Sequence, residues 1–552
     1  MSILKNKLEY VLCFFSIVLM YLFQVQSWNG EYLDTDCYFH ALRMIQWFEE
    51  PSFFEQKMWW SNYPFGEISH WTRVIYIIWG IITLPFLFVN NLKDAVFNAG
   101  LVISPLFLVL SAWCLIATLK DLVNVKFRLL VFVLLFVQAN FMRTAYFYRP
   151  DHHIIFVFLS VLSLYFMNLF IKSQNEKILK KLAILFSVAL WLSVEGVFLF
   201  VFSFVFLFVG YWLLGYKYED LLKFCFCYAL GVSCCWLINP CYQGWFYVDT
   251  GRISVFWVAL IWLSYLCLYV GKNIDNKVKQ FGVLCGCFGG CVAIFYFLGW
   301  FNSPVDERLH HIFIARITEM HGLNIYTGAY PFVGVLLGGL LLKKNIKNAI
   351  VLYLYISLLG YGILSLYGIR FLQYSGLYSA LLIVLFLQDR FSCGKKIGLL
   401  VMFFVLLEYI GFILNLIIFS SVMEKPAPAI YFTGLDRIPE GSVVTDTFFT
   451  PHMIWYGNRP VVASPYHGNI EGILDNHEIL FSANEGKVIE LLKKHKVGSV
   501  YLSDTKNDFY KEPLKNCDKL YGKILGCKNY PDWLIPVDKT NGALFRVDYS
   551  KM

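Results

Sequence analysis

Long apolar runs separated by short polar connections fill the first 420 residues, at roughly 10–25, 97–118, 127–143, 153–171, 182–195, 197–214, 223–238, 253–270, 281–300, 329–342, 349–367, 371–388 and 397–421. Runs of this length are what a hydrocarbon layer demands of a helix, so the pattern predicts thirteen spans. The first run follows Lys5 and Lys7 and lacks a small-residue cleavage site, which reads as a retained span rather than a removed leader. One more apolar run, Val74 to Val89, lies between Arg73 and Asn90 and contains Gly80 and Pro85. Whether it crosses decides the side of everything after it.

Beyond residue 423 the pattern changes. Strand-like runs at Ser442 to Thr445, Ser499 to Leu502 and Ala543 to Val547 alternate with an amphipathic helix signal over Glu485 to Lys496 and with turn residues. The expected architecture is therefore mainly α: a polytopic helical bundle over 1–423, with external loops at 28–96 and 301–328, followed by an external α/β domain over 424–552. No tandem repeat or low-complexity tract interrupts it.

Charge settles the side of the connections. The chain has 552 residues, 58% apolar and 15% charged, with a net charge of +8, against about a quarter charged in soluble domains. Residues 424–552 carry 16 basic and 16 acidic residues, so the whole excess belongs to the apolar part, which excludes a basic nucleic-acid module. If Val74 to Val89 lies in the interface, the connections sharing a side with the N-terminus hold 20 basic residues against 7 acidic, and acidic residues outnumber basic ones on the other side. A spanning Val74 to Val89 would invert this and violate the positive-inside rule throughout. The reading is thirteen spans, a cytoplasmic N-terminus and an external C-terminal domain.

Thirteen of the 15 cysteines lie in or near spans, where the residue behaves as a small apolar group and lacks zinc-site context. Cys517 and Cys527, in the external domain, can form a disulfide.

The same topology gathers chemistry onto one face: Asp34-Thr35-Asp36, Tyr148-Arg149-Pro150-Asp151-His152-His153 at the mouth of a span, Glu319 in the connection 301–328, and Arg370 at another span end. Carboxylates beside hydrocarbon are costly unless they bind something. Three of them suit a hard divalent ion such as Mg²⁺ or Mn²⁺ better than zinc. Against this stands the plain alternative that each acid is a solvated loop charge. His152 and His153 read as ligands, as neighbours that orient ligands, or as interface residues. Glu195 and Glu408, embedded in apolar runs, suit a proton relay, a substrate contact or a structural role. Arg143, Arg149, Arg252, Arg308 and Arg316 are candidate phosphate contacts or ordinary loop charges.

Five stretches carry a family resemblance. Asp36 through Arg43 resembles the first-loop DxxxxxxR pattern of the oligosaccharyltransferase catalytic subunit, a membrane glycosyltransferase of the GT-C fold. Tyr63-Pro64-Phe65-Gly66 followed by His70-Trp71-Thr72 is similar to that family's P-x-G…W-T-P stretch. Met142 through His153 falls where the family has its second acidic motif, Ile317-Thr318-Glu319 resembles its T-I-x-E motif, and Gly368-Ile369-Arg370-Phe371 its G-x-R-F. Within the family the chain resembles a bacterial branch marked by His70-Trp71-Thr72-Arg73, Pro150-Asp151-His152-His153 and Pro465-Tyr466-His467-Gly468-Asn469.

The resemblance implies that Asp36, Asp151 and Glu319 bind a catalytic divalent ion, Mn²⁺ or Mg²⁺. It implies that Arg370 binds the phosphate of a polyprenyl-linked sugar donor, with Asp34, His152, His153, His70 and His467 as supporting or acceptor-side candidates. Two departures stand out. The second motif ends in His153 where the family carries a second carboxylate. The stretch after Val443-Val444-Thr445 reads Asp446-Thr447-Phe448-Phe449-Thr450 where the family has WWDYG, so glycosylation of Asn-x-Ser/Thr sequons does not follow. Asp446, His452, His467 and Asn469 are acceptor candidates or loop-forming polar residues.

The expected function is glycosyl transfer from a lipid-linked donor to a protein, lipopolysaccharide or other envelope glycan on the external face of a bacterial inner membrane, with membrane lipid as surroundings and no nucleic acid. The rivals are a transporter or flippase of lipid-linked sugars, and a relative that binds such lipids without turnover. A transporter would show inverted repeats and mid-span charges; the sequence shows no self-similarity, and its candidate carboxylates cluster at one end.

Overall fold

The computed structural model describes residues 2–52, 54, 57–69, 71–136, 138–301, 307–312, 325–390, 440–502, 516–538 and 543–552. Helices coincide with twelve of the thirteen apolar runs; the run 397–421 and the expected domain boundary at 423 lie outside the described residues. Among the described residues eight helices are long and apolar enough to cross a membrane, and Val255–Gly271 is a shorter apolar helix. In hydrocarbon every backbone polar group must be satisfied within its own segment, which is why uninterrupted apolar sequence becomes helix here. The chain is a helical integral-membrane protein with an α/β C-terminal region.

The polar connections terminate these helices by capping. Asn175, Asn276 and Asn348, all in lysine-rich connections, accept hydrogen bonds from the free amides of the helices Glu176–Leu192, Lys277–Phe297 and Ala349–Tyr367. At the same end, Arg128 donates to both oxygens of Glu9 at 2.9 and 3.0 Å and ties the first helix to the bundle. The run 127–143 differs from expectation. It divides into the helices Val125–Phe136 and Ala139–Thr144, and Gln138 between them turns its amide onto the Leu134 carbonyl at 2.7 Å.

The run Val74 to Val89 is a helix, Val74–Thr83, followed by a 3₁₀ segment, Leu84–Phe88, with Pro85 at its start. It packs beside the helix Leu92–Leu122, and the Trp79 indole donates to the Val96 carbonyl at 2.9 Å.

Residues 440–552 contain a four-stranded sheet in the order Ser442–Val444, Val497–Leu502, Ala543–Val547, Leu534–Asp538. The first pair is parallel and the others antiparallel. The helices Ile470–Phe481 and Glu485–Lys494 add Leu480 and Leu492 to a core shared with Val444, Val500 and Phe545. Leu534–Asp538 is the strand the sequence pattern does not reveal, because Pro536 sits in it; proline is tolerated there because the strand is at the sheet's edge. Cys517 and Cys527 are joined in a disulfide with 5.9 Å between their Cα atoms.

This region grips the loop that follows the first helix. Val461 donates to the Trp60 carbonyl at 2.7 Å and accepts from the Tyr63 amide at 3.2 Å. His495 Nδ1 meets the Tyr63 carbonyl at 2.7 Å, and Asn469 donates to Ser61 Oγ at 3.0 Å. Gly468 lies so near the Ile68 carbonyl that any Cβ would strike it. The packing brings Tyr466 over the helix Thr35–Glu49, with its ring 4.0 Å from that of Phe39.

Candidate metal centre

Two helix N-termini meet at the site. Asp34 caps the helix Thr35–Glu49, accepting from the Cys37 amide at 3.3 Å, and Asp151 caps the helix His152–Ser173, accepting from the His152 amide at 2.5 Å. Helix N-termini favour negative charge, so both carboxylates sit where the backbone supports them. Arg149, itself buried, lies between the two, with Nε 3.0 Å from Asp34 and Nη2 3.3 Å from Asp151. Asp36, in the first turn, accepts from the Tyr466 hydroxyl at 2.7 Å.

The Asp151 carboxylate also faces two imidazoles. His152 Nδ1 contacts one oxygen, and His153 Nε2 stands 3.8 Å from the other. A third imidazole, His40, lies one turn along its helix from Asp36. One donor atom each of His40, Asp151 and His152 lie within 4.8 Å of one another, and all three residues are buried. Trp71 packs on both rings, with centroids 5.0 Å from His40 and 4.3 Å from His152.

The surrounding loop is held from several sides. Arg43 donates to Ser69 Oγ at 2.6 Å, to the Trp71 carbonyl at 3.0 Å and to Tyr76 Oη at 3.1 Å. Arg252 donates to the Ser69 carbonyl at 3.2 Å, Thr72 to the Trp191 carbonyl, and the Arg73 amide to Asn239 Oδ1 at 2.8 Å. Arg43 and Arg252 therefore position Trp71.

Asp34, Asp36 and Asp151 outnumber the single guanidinium among them. Burial pushes the His40 imidazole down to about 3, so it adds no positive charge. Burial, and then the neighbouring Asp36, hold the Tyr466 phenol well above its ordinary range, so it stays a donor. His40 Nε2 is buried and has no hydrogen-bond partner among the described residues. Carboxylates gathered beside a buried ring nitrogen without a partner suit a divalent cation.

Arg370 lies elsewhere on the rim, its Nε 3.1 Å from Glu195, and about a third of its side chain is exposed. Glu195 is thus the partner of Arg370. Glu319, His70, Glu408 and Arg316 lie outside the described residues, as does the His467 side chain. Arg143 sits in the last turn of the Ala139–Thr144 helix, and Arg308 on the Glu307–Ile312 helix.

The acceptor-side candidates take structural positions. Asp446 accepts from the Phe448 amide at 3.0 Å, Asn469 accepts from the Gly472 amide at 3.2 Å, and His452 packs on Tyr38 at 4.4 Å between ring centroids. His40 and Tyr466 escape the reading of the sequence as site residues. The i, i+4 spacing from Asp36 carries a signal for His40, and nothing local does so for Tyr466.

No family model matches this sequence, and no curated protein does. Solved structures match over nearly the whole chain. The archaeal oligosaccharyltransferase AglB from Archaeoglobus fulgidus, in complex with an inhibitory peptide and a dolichol-phosphate, superposes with a TM-score of 0.68 at 13% identity, covering 99% of this chain and 74% of that one. The Archaeoglobus fulgidus oligosaccharyltransferase in complex with Zn and sulfate gives 0.65 at 13% identity, covering 99% and 73%. The same enzyme tethered to an acceptor peptide containing the NVT sequon gives 0.68 at 13%, covering 99% and 74%. At these identities the likeness is one of fold: this chain has the oligosaccharyltransferase-like GT-C architecture.

Proposed function

We propose that this chain is a membrane glycosyltransferase that moves a sugar or oligosaccharide from a polyprenyl-phosphate or polyprenyl-pyrophosphate donor to an acceptor in the cell envelope. The protein would sit in a bacterial inner membrane, with its N-terminus cytoplasmic and the C-terminal region external. The observation that supports this reading is that the helix N-terminus carrying Asp34 and Asp36 is joined to the one carrying Asp151 through Arg149, in an oligosaccharyltransferase-like fold. Complexes of the structural neighbours with dolichol-phosphate and with acceptor peptide make a lipid-linked donor and a peptide or glycan acceptor the natural classes.

Asp36, Asp151 and Glu319 would hold a divalent ion, which when bound neutralises charge on the leaving phosphate. The chain's own groups do the rest. Asp36 orients the acceptor nucleophile and takes its proton as the new bond to the anomeric carbon forms. The bond from that carbon to the phosphate oxygen breaks on the opposite face, giving inversion. Arg370 receives the developing phosphate charge, exchanging its contact with Glu195 for phosphate oxygens. Tyr466 fixes the Asp36 carboxylate. The position of the carboxylates at helix N-termini, away from mid-span, favours surface chemistry over a transport path.

Replacing Asp36, Asp151 or Glu319 by Ala is expected to lower transfer from a labelled lipid-linked sugar by about 100-fold or more, with insertion and gel-filtration behaviour unchanged. Full transfer by all three variants would refute the site. Profiling glycans and lipid-linked intermediates in a deletion strain would identify donor and acceptor.

A further inference from the structure

We propose that His40 and His152 are ligands of the cation alongside Asp151, which makes this an imidazole-rich site for a borderline first-row ion such as Zn²⁺ or Co²⁺, with Mg²⁺ excluded. The inference rests on the metal centre named above and adds ligands to it.

Three observations carry it. First, His40, Asp151 and His152 are 0, 2 and 3% exposed, and each presents a donor atom within 4.8 Å of the other two. Second, His40 Nε2 has no hydrogen-bond partner among the described residues. A buried ring nitrogen left unpaired is costly unless something binds it. Third, the other ring nitrogen is committed. His40 Nδ1 pairs with Tyr76 Oη at 2.9 Å, and Arg43 Nη1 donates to the same oxygen at 3.1 Å. The Arg43 guanidinium can only donate, so Tyr76 Oη has a lone pair left to accept from Nδ1–H; in that tautomer the lone pair on Nε2 is left for the cation. A partner that fixes the tautomer in this way is the usual companion of a ligating imidazole.

His152 adds the second ring. Its Nδ1 rests on Asp151, and Trp71 lies against both imidazoles and restricts their rotation. A cation held between them would take the place of the His152–Asp151 contact. Nitrogen donors favour borderline ions such as Zn²⁺ and Co²⁺, whereas Mg²⁺ prefers oxygen and sheds its water reluctantly. A purely structural His40, the alternative, would have a partner on both nitrogens or an apolar neighbour in place of Asp151.

The full chain, purified in detergent and stripped with chelator, is titrated with Co²⁺ followed by its visible absorption, and the Zn²⁺ form is examined by X-ray absorption. The expected results are at least two imidazoles in the zinc shell, and no displacement of Co²⁺ by a large excess of Mg²⁺. His40→Gln is expected to lose one imidazole and to weaken Co²⁺ binding by about 100-fold. Tyr76→Phe, which leaves the ring in place, is expected to weaken binding by about tenfold, and it keeps the test open if His40→Gln does not fold. An all-oxygen shell, ready exchange with Mg²⁺, or wild-type Co²⁺ affinity and spectrum in His40→Gln would overturn the inference, while loss of transfer in Asp36→Asn and Asp151→Asn would leave the transferase reading standing. Loss of the ion in His40→Gln together with normal transfer by the Asp36→Asn and Asp151→Asn variants would do the reverse.

Discussion

Glu67 is a buried carboxyl between the loop that follows the first helix and the C-terminal region, hydrogen-bonded by Ser464, with Ser61 and Asn469 beside it and Arg43 as the nearby charge. Burial pushes it up to about 7, against those four favourable contacts. A carboxyl raised in the folded state contributes stability that is fully present below its unfolded value near 4.5 and is lost as pH rises through about 7. Stability in detergent, read as the thermal midpoint, should therefore fall between about pH 4.5 and 7 and level off above, with a slope from this group approaching about 1.4 kcal/mol per pH unit. Glu67→Gln, which keeps the neutral shape, should flatten that fall; an unchanged profile would place the pH dependence elsewhere. At this scale the sequence was partly legible. Asp36 and Asp151 are visible because acids beside apolar runs need a reason. His40 is not, because a histidine on the buried face of an amphipathic helix reads as core, and its chemistry exists only once Asp151 arrives from 111 residues away.

Among elements, Val74–Phe88 bears most on the topology. Ten α-helical residues at about 1.5 Å each and five 3₁₀ residues at about 2.0 Å each reach about 25 Å, short of the roughly 30 Å hydrocarbon layer. Phe88 and Val89 at its end are exposed apolar residues, as a segment lying in lipid requires. Cysteines introduced at Arg73 and Asn90 should label with an impermeant maleimide from the same side of intact cells; opposite-side labelling would invert every later connection. Helix positions were legible because hydrocarbon enforces one rule along the whole run. The break at Gln138 and the strand Leu534–Asp538 were not: both depend on neighbours in space, the one on a helix end and the other on a sheet edge that tolerates Pro536.

For the whole molecule, the question is whether the C-terminal region only covers the bundle or completes its site. Tyr466 reaches Asp36 from 430 positions away, and the segment that carries it is seated by Val461 on Trp60 and Tyr63 and by Gly468 against Ile68. No local pattern could announce such a contact, since it exists only where two regions far apart in sequence pack together. If docking delivers Tyr466, removing its hydroxyl and disturbing its seat are one lesion. Tyr466→Phe should lower transfer by about tenfold, the worth of one hydrogen bond to a charged group. Gly468→Ala should do at least as much, because the new Cβ must push the segment off Ile68. The double variant should then be no worse than Gly468→Ala alone, since the hydrogen bond is already lost. Multiplying effects would mean that Tyr466 and the seat act independently, and an unimpaired Tyr466→Phe would reduce the C-terminal region to a cover.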